Sequence, residues 1–114
     1  MQLITDEIRA ALAANGQRFQ SNPDFDPHPV VKLFTPDAAA TWLIASAEPE
    51  DPDLLFGLCD LGVGFPELGS VLLSEIASVR GRLGLRVERD LAFKADRPIS
   101  AYARASTAVR AIVA

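Results

Sequence analysis

The fold of this protein is decided by residues 42–61, which read WLIASAEPEDPDLLFGLCDL. Two apolar runs, residues 42–47 and 54–61, have the length and composition of buried strands, and a short polar segment with two prolines separates them. A connection this short joins antiparallel neighbours, because a parallel crossover needs a dozen or more residues. We therefore expect two antiparallel strands with an exposed acidic turn between them.

Three further strands are predicted outside this pair. Residues 30–34 form a short apolar run before the Thr35-Pro36-Asp37 stop, and a strand around residues 69–73 follows the glycine-rich reversal at residues 62–66. Residues 85–93 show the clearest period of two in the chain. The sequence thus predicts a mostly antiparallel sheet of about five strands.

Helical patterns flank and interrupt the strands. Thr5 is placed to cap a first helix that stops at Asn15-Gly16, and Ser74 is placed to cap a short helix over residues 75–80. A last helix begins near Ile99 and carries an apolar stripe. We expect a single α+β domain, residues 1–114, with two or three helices packed on one face of the sheet.

The composition fits a globular protein of the cytoplasmic type. Of the 114 residues, 49% are hydrophobic, which is enough for one core without a metal or disulfide. No window approaches the roughly 20 apolar residues that span a bilayer, and the first residues lack the basic segment of a signal peptide. The lone cysteine, Cys59, lies in an apolar run, which favours a buried and inert thiol.

Charge is distributed unevenly along the chain. Residues 1–79 hold twelve acids and three bases, whereas residues 80–114 hold three acids and eight bases. This asymmetry indicates either a surface with separated signs or two halves whose charges interleave on folding.

The acidic turn is the first candidate site. It contains Glu48, Glu50, Asp51 and Asp53, and its two prolines keep the backbone extended. Four carboxylates in six residues are able to contact a basic protein surface, although a solubilising turn has the same composition. We interpret these four residues as a candidate partner-binding site.

The second candidate site is a set of charged residues at core positions. The period of the segment 85–93 places Arg89 on the face of its apolar neighbours, and Asp60 shares a face with the apolar residues of its own strand. A buried guanidinium requires a carboxylate partner or an opening to solvent. We predict that Arg89 pairs with Asp60 or Glu67, either as an ion pair that fixes strand register or as a cleft that binds an anionic ligand.

Other constellations are weak. Asp24, Asp26 and His28 alternate in a proline-stiffened segment, but two carboxylates and one imidazole without a second cluster do not predict a metal. The reversal at residues 62–66 lacks the residues of a phosphate-binding loop. We predict no catalytic residues, no metal and no cofactor. The arginines after residue 79 offer a basic patch, yet the acidic chain as a whole does not favour direct contact with nucleic acid.

With these elements in order, the chain resembles the bacterial family catalogued as domain of unknown function 2958. The resemblance covers nearly the whole chain and lies in residues 29–34 (PVVKLF), 40–43 (ATWL), 55–62 (LFGLCDLG), 66–71 (PELGSV), 88–91 (ERDL) and 98–102 (PISAY). It implies short proteins carried on plasmids, phages and integrative elements, among genes for transfer, antirestriction and counter-defence. It brings no activity and no catalytic residues.

Taken together, these features predict a non-enzymatic interaction protein of a mobile element. Its expected role is counter-defence of the anti-CRISPR or antirestriction type, by binding a host protein or nucleoprotein complex that handles nucleic acid. A second hypothesis is a ligand-binding or enzymatic cleft at Asp60, Glu67 and Arg89. A third is a plasmid accessory factor that contacts DNA through the carboxy-terminal arginines.

Overall fold

The two strands predicted from residues 42–61 lie at the centre of the sheet. A computed structural model describes residues 2–114, and its strands run β4-β3-β2-β1-β5, each antiparallel to its neighbours. Their bounds are β1 (Val31–Phe34), β2 (Thr41–Glu48), β3 (Asp51–Asp60), β4 (Glu67–Leu72) and β5 (Glu88–Arg89). The α+β class and the five-stranded antiparallel sheet are confirmed.

The helices lie on both faces of the sheet, so the expectation that they share one face is wrong. They are α1 (Asp6–Ser21), α2 (Leu73–Ser78) and α3 (Ile99–Val109). Residues 42–47 of β2 are all buried, so both sides of this strand need a cover. Trp42 and Ile44 pack in a cluster with α1 and α2, whereas Leu43 and Ala45 pack in a second cluster with α3.

The first helix continues past the predicted stop at Asn15-Gly16 and ends at Ser21. Gly16 is buried against β2, where a Cβ atom would lie 1.9 Å from the carbonyl oxygen of Ala47. The side-chain amide of Asn15 donates to the carbonyl oxygen of Ala45 at 2.9 Å. The two residues therefore serve close docking of the helix on the strand, and this tertiary contact outweighs their poor helix propensity.

The segment predicted as the clearest strand contributes only the two residues of β5. Before it, residues 81–85 form a loop in which Gly84 has φ +77°, and the Asp37 carboxylate accepts from the backbone amides of Leu83, at 2.6 Å, and Leu85. After it, the Asp90 carboxylate accepts from the amide of Ala92 and closes a turn. Side-chain acceptors thus take up the amides that a longer strand would pair, an outcome that alternation of residue types does not reveal.

Candidate interaction surfaces

The acidic turn is the tip of the β2–β3 hairpin. Glu48 and Asp51 are directly opposite each other as the last registered pair of the ladder, and Pro49 and Glu50 form the two-residue connection. The side chains of Glu48, Glu50 and Asp51 are exposed. We call these three carboxylates the acidic tip.

Asp53, the fourth residue predicted for this site, has a different role. Its carboxylate accepts from the backbone amide of Ser74 at 2.9 Å and from the Ser74 hydroxyl at 2.7 Å. Ser74 lies in the first turn of α2, whose amides have no partner within the helix. Asp53 therefore caps α2, although it lies 21 residues from Ser74 in the sequence. The sequence predicted Ser74 itself as the cap. The Asp53 carboxylate is thus engaged within the fold.

The acidic tip brings like charges together at the end of the hairpin. In an antiparallel pair of strands, the Cβ atoms of directly opposite residues lie roughly 5 Å apart. Two like charges at this distance destabilise the sheet. Within residues 2–114, no lysine or arginine forms an ion pair with Glu48, Glu50 or Asp51. The hairpin thus presents three carboxylates without an ion-pair partner in the described part of the chain. Arg9 lines the same cavity as Glu48, and the Asp51 carboxylate accepts from the amide of Asp53 at 3.3 Å. The register of the ladder shifts directly below the tip, between Ala47 and Glu48.

Asp60 is buried, with 4% of its surface exposed, and is satisfied by backbone amides. One carboxylate oxygen accepts from the amide of Gly62 at 2.8 Å, and the other accepts from the amide of Ile112 at 3.1 Å. The first bond shapes the turn after β3, and the second attaches the segment that follows α3 to the end of the sheet. Asp60 therefore holds two chain segments together.

Arg89 lies far from the carboxylates predicted to meet it. Its guanidinium donates to the carbonyl oxygens of Gln2 and Leu3, the latter at 3.0 Å. In the strand order, two strands separate Arg89 from Asp60 and three separate it from Glu67. At roughly 4.8 Å per strand, the backbones of Arg89 and Asp60 are about 14 Å apart. The structure does not bring Asp60, Glu67 and Arg89 together, and the predicted ion pair between them is wrong.

A polar cavity of about 440 Å³ lies beside the start of α3 and is lined in part by Asp90, Lys94, Asp96, Arg97 and Tyr102. The Arg97 guanidinium and then the Tyr102 hydroxyl, both hydrogen-bonded to Asp96, lower the pKa of that carboxyl to about 2. Asp90 faces the ammonium of Lys32 at 3.6 Å. Both carboxylates thus already have cationic partners. The contacts of Asp96 lie at the entry into α3, and the contact of Asp90 joins the segment after β5 to β1.

The connection between β3 and β4, predicted only as a glycine-rich reversal, exposes apolar side chains. Leu61, Val63 and Phe65 are 65%, 69% and 67% exposed, respectively. They follow the end of β3, whereas the acidic tip lies at its start, so the length of β3 separates the two surfaces by about 30 Å. The signal was the alternation of apolar residues with Gly62 and Gly64 in the segment predicted to be a reversal.

The remaining candidate side chains have roles within the fold. Asp26, part of the weak metal pattern, accepts from the amide of Ser100 at 3.1 Å and from the Ser100 hydroxyl, and so caps α3. No three histidine, cysteine, aspartate or glutamate side chains within residues 2–114 are grouped to hold a metal ion. Burial raises the pKa of the Cys59 thiol to about 11, which leaves it protonated and a poor nucleophile near neutral pH.

The arginines after residue 79 are dispersed over several elements. Arg80 donates to the carbonyl oxygens of Ala77 and Val79 at the end of α2, and Arg97 pairs with Asp96 at 2.8 Å. Four further arginines are exposed. Arg82 lies in the loop before β5, Arg86 lies next to β5, Arg104 lies on α3 and Arg110 follows α3. Contacts with the chain itself thus occupy part of the positive charge.

The fold and these surfaces define a small α+β protein whose five-stranded antiparallel sheet is covered by helices on both faces. The chain belongs to the family described as "Protein of unknown function (DUF2958)", which matches residues 3–113, and the resemblance seen in the sequence is confirmed. Neither the curated proteins nor the solved structures contain a match. No helix within residues 2–114 combines the length and the apolar character needed to cross a bilayer.

Proposed function

We propose that this protein is a non-enzymatic interaction protein that acts in counter-defence, of the anti-CRISPR or antirestriction type. It inhibits a host complex that handles nucleic acid by docking the acidic tip onto the basic surface that otherwise receives phosphates. The observation that supports this proposal is the registered, exposed pair of Glu48 and Asp51, flanking Glu50, with no ion-pair partner within residues 2–114.

The chemistry of the tip suits lysine and arginine partners. Carboxylates and guanidinium groups form paired, charge-assisted hydrogen bonds, which are stronger than bonds between neutral groups. An arginine- or lysine-lined channel that binds a phosphate backbone presents several such cations close together. Three carboxylates on one hairpin tip are therefore able to occupy neighbouring cation positions at once.

Both strands of the hairpin contact other parts of the fold, and such contacts reduce the entropy lost on binding. The α1 helix packs on β2 through Gly16, and a Cβ atom at that position would lie 3.3 Å from the Cδ atom of Pro49. Asp53 fixes the other strand of the hairpin to α2. The carboxylates are thus presented by a braced hairpin in a defined arrangement.

The context of mobile elements and defence comes from the family resemblance described above, and the charge of the chain agrees with it. The chain carries a net charge of −4, and a negatively charged protein attracts basic partners at a distance and accelerates their encounter. The role in counter-defence follows from this context together with the acidic tip.

Affinity capture with matched variants tests the proposal. The wild-type chain and two triple variants are used as baits in lysates of bacteria that carry CRISPR or restriction systems. The tip variant is Glu48→Gln, Glu50→Gln and Asp51→Asn, and the control variant neutralises three other exposed acids, Glu7→Gln, Asp24→Asn and Glu75→Gln.

We expect the wild type and the control variant to capture subunits of a defence complex, and the tip variant to lose them. The two variants have the same net charge, so a loss confined to the tip variant depends on position and not on total charge. Equal capture by both variants would contradict the proposed role of the acidic tip.

A further inference from the structure

The outer edge of β4 is open over most of its length. Each residue of the strand from Glu67 to Leu72 pairs with β3 on one side. On the other side, the main chain of residues 67–71 makes no hydrogen bond to any group within residues 2–114, whereas Leu72 is the N-cap of α2 and its carbonyl serves the first turn of that helix. The opposite edge of the sheet is β5, which has only two residues. The structure therefore has one long unpaired edge, and unpaired edges readily accept another strand.

The sequence of β4 lacks the features by which proteins usually protect such an edge. Residues 67–72 (ELGSVL) contain no proline, lysine or arginine, and their single charge is Glu67 at the first position. A Cβ atom on Gly69 would meet no atom within 4 Å, so one face of the strand is uncovered at this position. Leu68 is 43% exposed, and Ser70 is exposed.

We propose that this edge binds the same edge of a second copy of the chain, forming a two-fold dimer with a continuous ten-stranded sheet. When a second copy is rotated by 180° about an axis perpendicular to the sheet, its β4 edge runs antiparallel to the β4 edge of the first copy. The backbone amides of each edge then face the backbone carbonyls of the other. The inference is independent of the proposed function.

The alternation of side chains limits the register of this pairing. In an antiparallel pair, the side chains of directly opposite residues lie on the same face of the sheet. Two copies of β4 meet this condition only when the two-fold axis passes through a residue, and not when it passes between two residues. An axis at Gly69 would place two glycines opposite each other at the centre. An axis at Ser70 places Leu68 opposite the partner's Leu72, and these two side chains form an apolar cross-strand pair. We assign the axis to Ser70.

Charge favours a second copy over a charged peptide as the occupant. With the axis at Ser70, the two Glu67 residues lie at opposite ends of the interface, six residue positions apart. At roughly 3.4 Å per residue their separation is about 20 Å, longer than the screening length of about 8 Å at physiological salt. The paired segment, residues 68–72, carries no charge, so it offers a basic or acidic strand nothing to pair with.

Complementary charges at the axis test both the dimer and its register. The measurement is sedimentation velocity with the full chain, from low to high micromolar concentration, for the wild type, Ser70→Lys, Ser70→Asp and an equimolar mixture of the two variants. Gln17→Lys is the control, because it adds one positive charge at an exposed position on α1 away from the edge. Circular dichroism verifies that each variant keeps the wild-type fold.

We expect the wild type and Gln17→Lys to reach twice the monomer mass of 12.2 kDa. Each Ser70 variant alone should stay monomeric, because two like charges face each other at the axis, and the mixture should regain the dimer mass. A wild type that remains monomeric over the whole range would overturn the proposal, as would a Ser70→Lys variant that dimerises like the wild type. Monomeric variants whose mixture also stays monomeric would overturn the assigned axis.

Discussion

Replacing Gly16 with alanine tests how α1 braces the hairpin that carries the acidic tip. On helix propensity alone, this substitution should stabilise the protein by about 1 kcal/mol. The new Cβ atom, however, would lie 1.9 Å from the carbonyl oxygen of Ala47, whereas carbon–oxygen contacts in proteins are about 3.3–3.6 Å. The helix and β2 must therefore separate by more than 1 Å, a distance that side-chain rotation cannot supply, because the obstructing atom belongs to the backbone.

The net effect follows from three contributions. Overpacking of this kind costs about 1–3 kcal/mol, and loss of the hydrogen bond from Asn15 to Ala45 costs about 1 kcal/mol. After the propensity gain is subtracted, we expect Gly16→Ala to lower the free energy of unfolding by about 2 kcal/mol. For a chain of 114 residues, this corresponds to a fall in Tm of about 8 °C.

Urea and thermal denaturation followed by circular dichroism measure this change. Gln17→Ala, at the next and exposed position of α1, is the control and should change the free energy of unfolding by less than about 0.5 kcal/mol. A Gly16→Ala variant as stable as the wild type, or more stable, would refute the proposed close docking of α1 on β2.

Three further changes have defined outcomes. Asp53→Ala removes the cap of α2 and should cost about 1 kcal/mol in urea denaturation, with faster amide exchange in that helix; unchanged exchange would argue against the cap. Asp51→Asn relieves repulsion with Glu48 and should stabilise the isolated protein by about 0.2–1 kcal/mol at low salt, with a smaller gain at high salt; a loss of stability at low salt would contradict this. Asp96 should titrate by NMR with a pKa of about 2, and Arg97→Gln should move that pKa toward the ordinary 3.8. Because the folded-state pKa is the lower one, the stabilisation by Asp96 is present above pH 3.8 and disappears as the pH falls toward 2; an unchanged pKa in Arg97→Gln would exclude the guanidinium as the main cause.

The central part of the fold was predictable because it depends on local patterns. The apolar runs at residues 42–47 and 54–61 are long enough to specify strands, and the short connection between them specifies their antiparallel pairing. The alternation at residues 85–93 was misleading, since the Asp37 carboxylate binds backbone amides from 46 and 48 residues away. The burial of β2 on both sides also required knowledge of where α3 packs.

The candidate sites were predictable only in part, for a similar reason. The exposure of Glu48, Glu50 and Asp51 follows from a polar hairpin turn, and the sequence reveals it. The engagement of Asp53 depends on Ser74, which is 21 residues away, and nothing in the composition of the turn distinguishes Asp53 from its acidic neighbours. Arg89 occupies a core position in the pattern but lies on an edge strand, where it reaches backbone carbonyls.

The most direct test of the proposed role measures phage plating on bacteria that each carry one CRISPR or restriction system and express the chain. We expect the wild type and the variant neutralised at Glu7, Asp24 and Glu75 to restore plating on at least one such host. The variant neutralised at Glu48, Glu50 and Asp51 should leave plating as low as on bacteria without the protein. Full restoration by this last variant, or no restoration by the wild type on any host, would contradict the account.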